Sequence, residues 1–306
     1  MNHPYIGITG FVSAAEVKVA ITSYRDACAT TRRDPTHDLM VGVLASSKTL
    51  DGEANKYPLR YPKRERIFDV FPACSTCDGH GIQVFTPMNS STADDVRVAC
   101  PECSGEGPRF KRVNLVHYAT GGVGSEPYEI GSDMRLAEAL TRAMAYGGPR
   151  CDGLQINCAW PDPRGIKLFR AGYPYARLVL QLGPGALGTM QYRPRAIAER
   201  VRDDYGDLVT DVLVDVSGGR GVQIEGFVER AGLIVEDLRR HGEWRVGIAG
   251  GLCAETLAPW GSALRSGRSI DAEGRLRDDA DGGGNLDLVK VGTYLRAAVQ
   301  LAGGAA

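Results

Sequence analysis

Eight short runs of β-branched and aliphatic residues, each followed by a longer stretch with different spacing, limit the fold more than any other feature of this chain. The runs are Tyr5–Thr9, Leu39–Ala45, Arg112–Tyr118, Gly153–Cys158, Ala176–Leu182, Asp211–Val216, Trp244–Ala249 and Arg268–Ala272. Most are almost continuously apolar, as strands buried on both faces must be. Amphipathic stretches at Ala14–Ala27, Asp133–Tyr146, Pro194–Tyr205 and Phe227–Arg240 read as helices between them. Pro194 suits a first helical turn, where a missing N–H leaves nothing unpaired. Strands alternating with helices predict a parallel sheet with helical crossovers. Eight such units make the α/β (β/α)₈ TIM barrel, which occupies about 250 residues. The 306 residues here therefore accommodate one barrel and one insertion. Near the end, Leu288, Val291, Leu295, Ala298 and Leu301 fall at helical spacing, so Leu286–Leu301 reads as the closing helix. The rival reading closes the barrel with Leu286–Val291 as a strand.

The insertion carries the sharpest motif. Cys74-Ser-Thr-Cys77-Asp-Gly79-His-Gly81 and Cys100-Pro-Glu-Cys103-Ser-Gly105-Glu-Gly107 both read CxxCxGxG. Two such knuckles supply Cys74, Cys77, Cys100 and Cys103, the tetrahedral thiolate set of a closed structural Zn²⁺ site. The repeat resembles the cysteine-rich zinc fold of DnaJ-type chaperones, which has four copies. The expected organisation is barrel over 1–71, zinc module over 72–109, barrel over 110–302, and a disordered tail at 303–306. The module follows a short predicted helix, Lys63–Phe71, and precedes the third strand, which places it on the amino-end face. A closed site has no open coordination position for substrate. The module therefore reads as a clip for the insertion or as a dock for a protein or nucleic-acid partner. Asn89–Asp95 holds no aromatic residue for stacking on single strands.

Charge and hydropathy exclude other classes. Lys and Arg total 36 against 37 Asp and Glu, leaving no global field to attract nucleic acid or an acidic membrane. No apolar run approaches the roughly 20 residues of a membrane span. The start, Met1-Asn2-His3-Pro4, lacks the basic and apolar regions of a signal peptide, so a cytoplasmic location is expected.

The strand ends are similar to those of phosphoribosylanthranilate isomerase, the tryptophan-pathway barrel that converts an N-ribosylated aminobenzoate to its ketose. Gly7-Ile8-Thr9 resembles its Cys-Gly-Ile-Thr segment, and Leu154-Gln155-Ile156-Asn157 its Gln-Leu-His-Gly. Val214-Asp215-Val216-Ser217-Gly218-Gly219-Arg220-Gly221 resembles its Leu-Asp-Ser-Gly-Gly-x-Gly, and Ala249-Gly250-Gly251-Leu252 matches its Ala-Gly-Gly-Leu. Ser269-Ile270-Asp271-Ala272-Glu273-Gly274 is similar to its last strand end. The resemblance implies acid/base isomerisation of an aldose to a ketose on a phosphorylated sugar or phosphoribosyl adduct, with Asp215 as the acid. One departure matters more than the matches. The family's base is a cysteine where this chain has Ile6, and an isoleucine cannot accept a proton.

Active sites of such barrels lie at the carboxyl ends of the strands. There, the glycines at 218, 219, 221, 250 and 251 let backbone N–H groups approach a phosphate. Asp215 shares an inward phase with Leu213 and Ser217, and Asp271 is a second carboxylate candidate. His117, Asp271, Lys48 and Cys253 are candidates for the missing base. The resemblance, whose family meets the substrate carboxylate with a basic residue in the loop after strand two, also makes Lys48 the candidate partner for an anionic group, and Gln155 and Asn157 share one strand face aimed at ligand. Two readings stay open: an isomerase distinct from the tryptophan-pathway enzyme, or a non-catalytic phosphate-ligand barrel that contacts partners through zinc.

Overall fold

The computed structural model describes residues 3–31, 36–63, 67–71, 82–85, 96–99, 112–217, 226–279 and 283–304. Its strands are β1 (Tyr5–Thr9), β2 (Asp38–Ser46), β3 (Ile82–Phe85), β4 (Val96–Ala99), β5 (Arg112–Ala119), β6 (Gly153–Asn157), β7 (Arg177–Leu182), β8 (Asp211–Asp215), β9 (Arg245–Ala249) and β10 (Ser269–Ala272). The helices are α1 (Ala14–Thr31), α2 (Ser47–Asp51), α3 (Ile67–Val70), α4 (Ser132–Gly147), α5 (Pro163–Gly172), α6 (Pro184–Thr189), α7 (Pro194–Tyr205), α8 (Phe227–His241), α9 (Gly261–Arg265) and α10 (Leu288–Ala302).

Eight strands close into a barrel in the order β1-β10-β9-β8-β7-β6-β5-β2, and every ladder in it is parallel. All eight runs read from the sequence are these strands, so the chain is a (β/α)₈ barrel of the α/β class. Closure falls to β10, whose Ile270 pairs with Ile6 on one side and Ile248 on the other. The rival strand at Leu286–Val291 is overturned. Leu286 makes only an isolated bridge to Arg277, and Leu288 onwards is α10, capped by the Asp287 carboxylate. Gly303 and Gly304 of the expected tail form a turn that ends α10.

Strand alternation divides two apolar regions. Ile6, Ile8, Val41, Val116, Leu154, Ile156 and Leu178 join residues of the helices in the larger core. Tyr5, Met40, Val113, Leu115, Val179, Leu213 and Ala249 form a second cluster inside the barrel. Glycines open that interior. A Cβ on Gly7 would meet Met40 Cε at 2.5 Å, and one on Gly42 would meet Thr9 Oγ1 at 2.5 Å.

The amino end of the barrel is plugged by charge. Asp211 accepts from Arg177 (2.6 and 3.0 Å) and Arg245 (2.7 and 2.8 Å), and the Arg177 guanidinium lies 4.9 Å from the Tyr5 ring centre. Breaking such a buried arrangement from one side typically costs about 3–5 kcal/mol.

Of the predicted helix Lys63–Phe71, residues 64–66 lie outside the described residues, and α3 forms within the described part. Beyond it, β3 and β4 pair antiparallel, with Ile82 opposite Ala99 and Phe85 opposite Val96. The four knuckle cysteines lie outside the described residues. No helix among the described residues is long and apolar enough to cross a membrane.

Candidate functional site at the carboxyl mouth

Inward-facing residues change character along the barrel. Above the apolar interior, the carboxyl ends of β1, β5, β6, β7, β8 and β10 contribute Thr9, His117, Gln155, Gln181, Asp215 and Asp271, all buried. A buried polar group is costly without a partner, and here each finds one in the others.

The chain of hydrogen bonds crosses the barrel. Thr9 Oγ1 donates towards the Asp271 carboxylate, 3.1 and 3.0 Å from its two oxygens. Gln155 Nε2 donates to Asp271 Oδ2 (3.0 Å) and to Gln181 Oε1 (3.1 Å), and lies 3.5 Å from His117 Nδ1. Gln181 Nε2 donates in turn to Asp215 Oδ2 (2.9 Å). The other oxygen of Asp215 accepts from the Ser217 backbone N–H (3.0 Å) and hydroxyl (2.8 Å). Gln155 Oε1 is buried with no hydrogen-bond partner among the described residues.

Electrostatics separate the titratable groups. Burial pushes the Asp271 carboxyl up to about 7, the nearby charges of Glu273 and Asp215 add to the rise, and the bonds from Gln155 and Thr9 oppose it. Burial lowers the pKa of His117, against the pull of Glu273 and Asp215 and with the push of Arg60, so its imidazole is neutral near pH 7. A carboxyl that titrates near neutrality suits proton transfer at physiological pH.

A cavity of about 330 Å³ opens beside this chain, lined by Asp215, Gln181, Asn157, Cys158, Thr120 and residues 183–186 among others. Asp271 does not line it. It is three hydrogen bonds from Asp215, through the amides of Gln155 and Gln181. A larger groove of about 850 Å³ lies at the other end of the barrel, by Thr210, Trp244 and Arg245, away from the polar chain.

The structure thus brings Asp215, Asp271, His117 and Gln155 together, with Asn157 on the cavity wall. Gly250 and Gly251 have positive φ (106° and 64°). A Cβ on Gly250 would lie 2.7 Å from Asp215 Oδ1 and 2.6 Å from Ser217 Oγ, so its lack of a side chain lets β9 close over Asp215. Lys48 is exposed on α2, outside the hydrogen-bonded chain. Gly218, Gly219 and Gly221 lie outside the described residues. Cys253 is buried, with Thr256 Oγ1 3.5 Å from its sulfur. Ile6, at the position where the resemblance places a base, belongs to the outer core with residues of α1 and not to the mouth. The inward groups at this end of β1 are Gly7 and Thr9.

Sequence reasoning missed Gln181 and Thr9. Gln181 keeps the inward phase of Val179 two residues earlier, the same alternation that singles out Gln155 and Asn157. It also missed a second cluster over the β1 and β10 ends. There Glu273 Oε1 accepts from Arg60 Nε (3.0 Å), Arg60 Nη2 (2.5 Å) and Arg277 Nη2 (2.9 Å).

No family model and no curated protein matches the chain. Among solved structures, it is similar to an N-acetylneuraminic acid (sialic acid) synthetase from Leptospira borgpetersenii serovar Hardjo-bovis in complex with citrate, at 10% identity, TM-score 0.46, over 99% of this chain and 84% of that one. It is also similar to orotidine 5'-monophosphate decarboxylase from Methanocaldococcus jannaschii (9%, 0.41, 96% and 98%). A third is tryptophan synthase subunit alpha from Campylobacter jejuni (12%, 0.43, 96% and 96%). The barrel assignment rests on the closed ring of ladders described above, and these likenesses carry nothing about activity.

Proposed function

We propose that the barrel is an acid/base isomerase acting on a phosphorylated sugar or phosphoribosyl adduct, by a reaction distinct from that of the tryptophan pathway. The observation that carries this reading is the hydrogen-bonded chain from Asp271 to Asp215 beside an open cavity at the carboxyl mouth. Asp215 is the catalytic residue that meets the ligand, since it lines the cavity. Asp271 holds the second proton, and Gln155 and Gln181 fix the distance between the two carboxyl groups. His117 stays neutral beside them. Asn157 orients ligand hydroxyls from the cavity wall, and the glycines of 218–221 and 250–251 receive the phosphate. With Ile6 turned into the helical layer, a family-type cysteine base is not reproduced at that position. Turnover of Asp215→Asn on a panel of phosphoribosyl compounds tests the reading. A fall of roughly 10²–10⁴-fold is expected for a lost acid/base group, and unchanged turnover would overturn the role of Asp215.

In the same reading Cys74, Cys77, Cys100 and Cys103 hold a structural Zn²⁺. The β3–β4 ladder supports this fit: Cys77 precedes Ile82 by five residues, Cys100 directly follows Ala99, and those two residues are paired. Both knuckles therefore join the hairpin at its open end. When bound, the metal supplies cross-linking rather than catalysis.

A further inference from the structure

The cluster over the β1 and β10 ends serves no purpose in the chemistry described so far, and it is built unusually deep for an ion pair. Glu273 follows β10 directly, Arg60 comes from the long connection after β2, and Arg277 lies four residues beyond Glu273. Arg277 is fully buried, yet its Nε has no hydrogen-bond partner among the described residues. Its Nη1 donates to Gly284 O at 2.6 Å, which fixes the plane of the fork. The backbone makes room for it: Gly10, at φ 104°, would carry a Cβ only 2.2 Å from Arg277 Nη2. Arg60 has 20% of its side chain exposed and Glu273 has 14%, so the cluster reaches solvent.

Two guanidinium forks aimed at one carboxylate oxygen are the arrangement with which proteins grip carboxylate and phosphate ligands. Here the carboxylate is tethered to the chain. We propose that Arg60 and Arg277 form the anion subsite of the mouth and that Glu273 is its built-in occupant, displaced when a ligand bearing a carboxylate or phosphate binds. This deepens the proposed function and rests on its reading of the mouth as a ligand site. The geometry supports it. The cavity lies at the β5–β8 flank and the arginine cluster at the opposite flank, and the bond from Gln155 on β6 to Asp271 on β10 spans the interval. Electrostatics agree on the proximity, since the charge of Glu273 acts on both His117 and Asp271.

The test is calorimetric titration of the full chain, at fixed ionic strength, with inorganic phosphate in one arm and benzoate in the other. Glu273→Gln keeps the shape and removes the competing charge, so affinity for one of the two anions should rise roughly tenfold or more. The arm that responds identifies the ligand class. The gain should vanish when Arg60→Ala is added. An unchanged affinity in folded Glu273→Gln, or a gain that survives Arg60→Ala, overturns the proposal. Should Glu273→Gln not fold even with anion present, the reading moves to Arg60→Ala alone. Anion-induced rise in melting temperature, lost in that variant, supports the subsite; retained, it overturns it. Binding is read here without turnover, so a failed Asp215→Asn assay and a failed titration are separate results.

Discussion

Asp271 and Asp211 are both buried aspartates on the inner face of the barrel, and their surroundings drive them in opposite directions. Burial opposes ionisation of Asp211, but Arg245 and Arg177 outweigh it and hold the carboxyl below its usual range. Asp271 has no cation bonded to it among the described residues, and burial wins, raising it to about 7. The folded protein therefore binds the Asp271 proton more tightly than the unfolded chain does. Its protonated form costs nothing below the unfolded value near 3.8, and stability falls as pH rises from there to about 7, then levels. Across a shift of this size the loss is a few kcal/mol. Asp271→Asn mimics the protonated acid and keeps partners for Thr9 and Gln155. Urea unfolding of both proteins at about pH 5 and about pH 8 should show the variant gaining on the wild type at the higher pH. His117 and His37 titrate in both proteins, so their contributions cancel in the difference. Equal differences at the two pH values would remove Asp271 as a proton-holding group. At this scale strand alternation made Asp215, Gln155 and Asn157 legible and strand ends pointed to His117 and Asp271, whereas Gln181 and Thr9 were missed although they keep the same inward phase. Arg277 and Glu273 follow no period, because only the folded chain brings them to Arg60 and Gly10.

At the scale of elements, the ladders explain which parts were legible. Each barrel strand is a compact apolar run, and parallel pairing needs no local turn signal, so all eight were readable. The helices α2 and α6 were not, since five- and six-residue elements are too short to show a period. Glycines inside elements make the contrast between strand and helix measurable. A Cβ on Gly153 of β6 would sit 1.8 Å from the Arg177 carbonyl oxygen of β7, a backbone atom fixed by the ladder. Gly232, within α8, would meet nothing within 4 Å. Gly153→Ala should therefore destabilise by roughly 3 kcal/mol or more, at the upper end of overpacking costs, and accumulate as insoluble protein. Gly232→Ala should stabilise by about 0.5–1 kcal/mol through helix propensity and lower entropy of the unfolded chain. Chemical unfolding of the two variants checks both signs. A neutral Gly153→Ala would mean that β6 and β7 do not meet in this register.

For the whole molecule, the insertion and the mouth belong to opposite ends of one barrel. The chain leaves after α3 and returns at Arg112, which pairs with Leu39 near the start of β2, so the insertion joins the barrel at the amino end of β5. The polar chain lies at the carboxyl ends. A stretch the size of 72–109 falls under the limit of about 40 residues below which a hydrophobic core alone does not sustain a fold. Structural zinc in such modules supplies about 10–16 kcal/mol of binding free energy, enough to decide whether the module folds at all. The barrel has its own core and needs none of it. Purified full-length protein should therefore carry one zinc per chain by atomic emission, and Cys77→Ser should lose it. Chelation should remove a low-temperature melting step while leaving anion affinity at the mouth within about a factor of two, a change of under 1 kcal/mol. Protein without zinc would reject the metal assignment. A mouth that loses its affinity on chelation would show that the two ends are coupled, contrary to the separation that the barrel topology imposes.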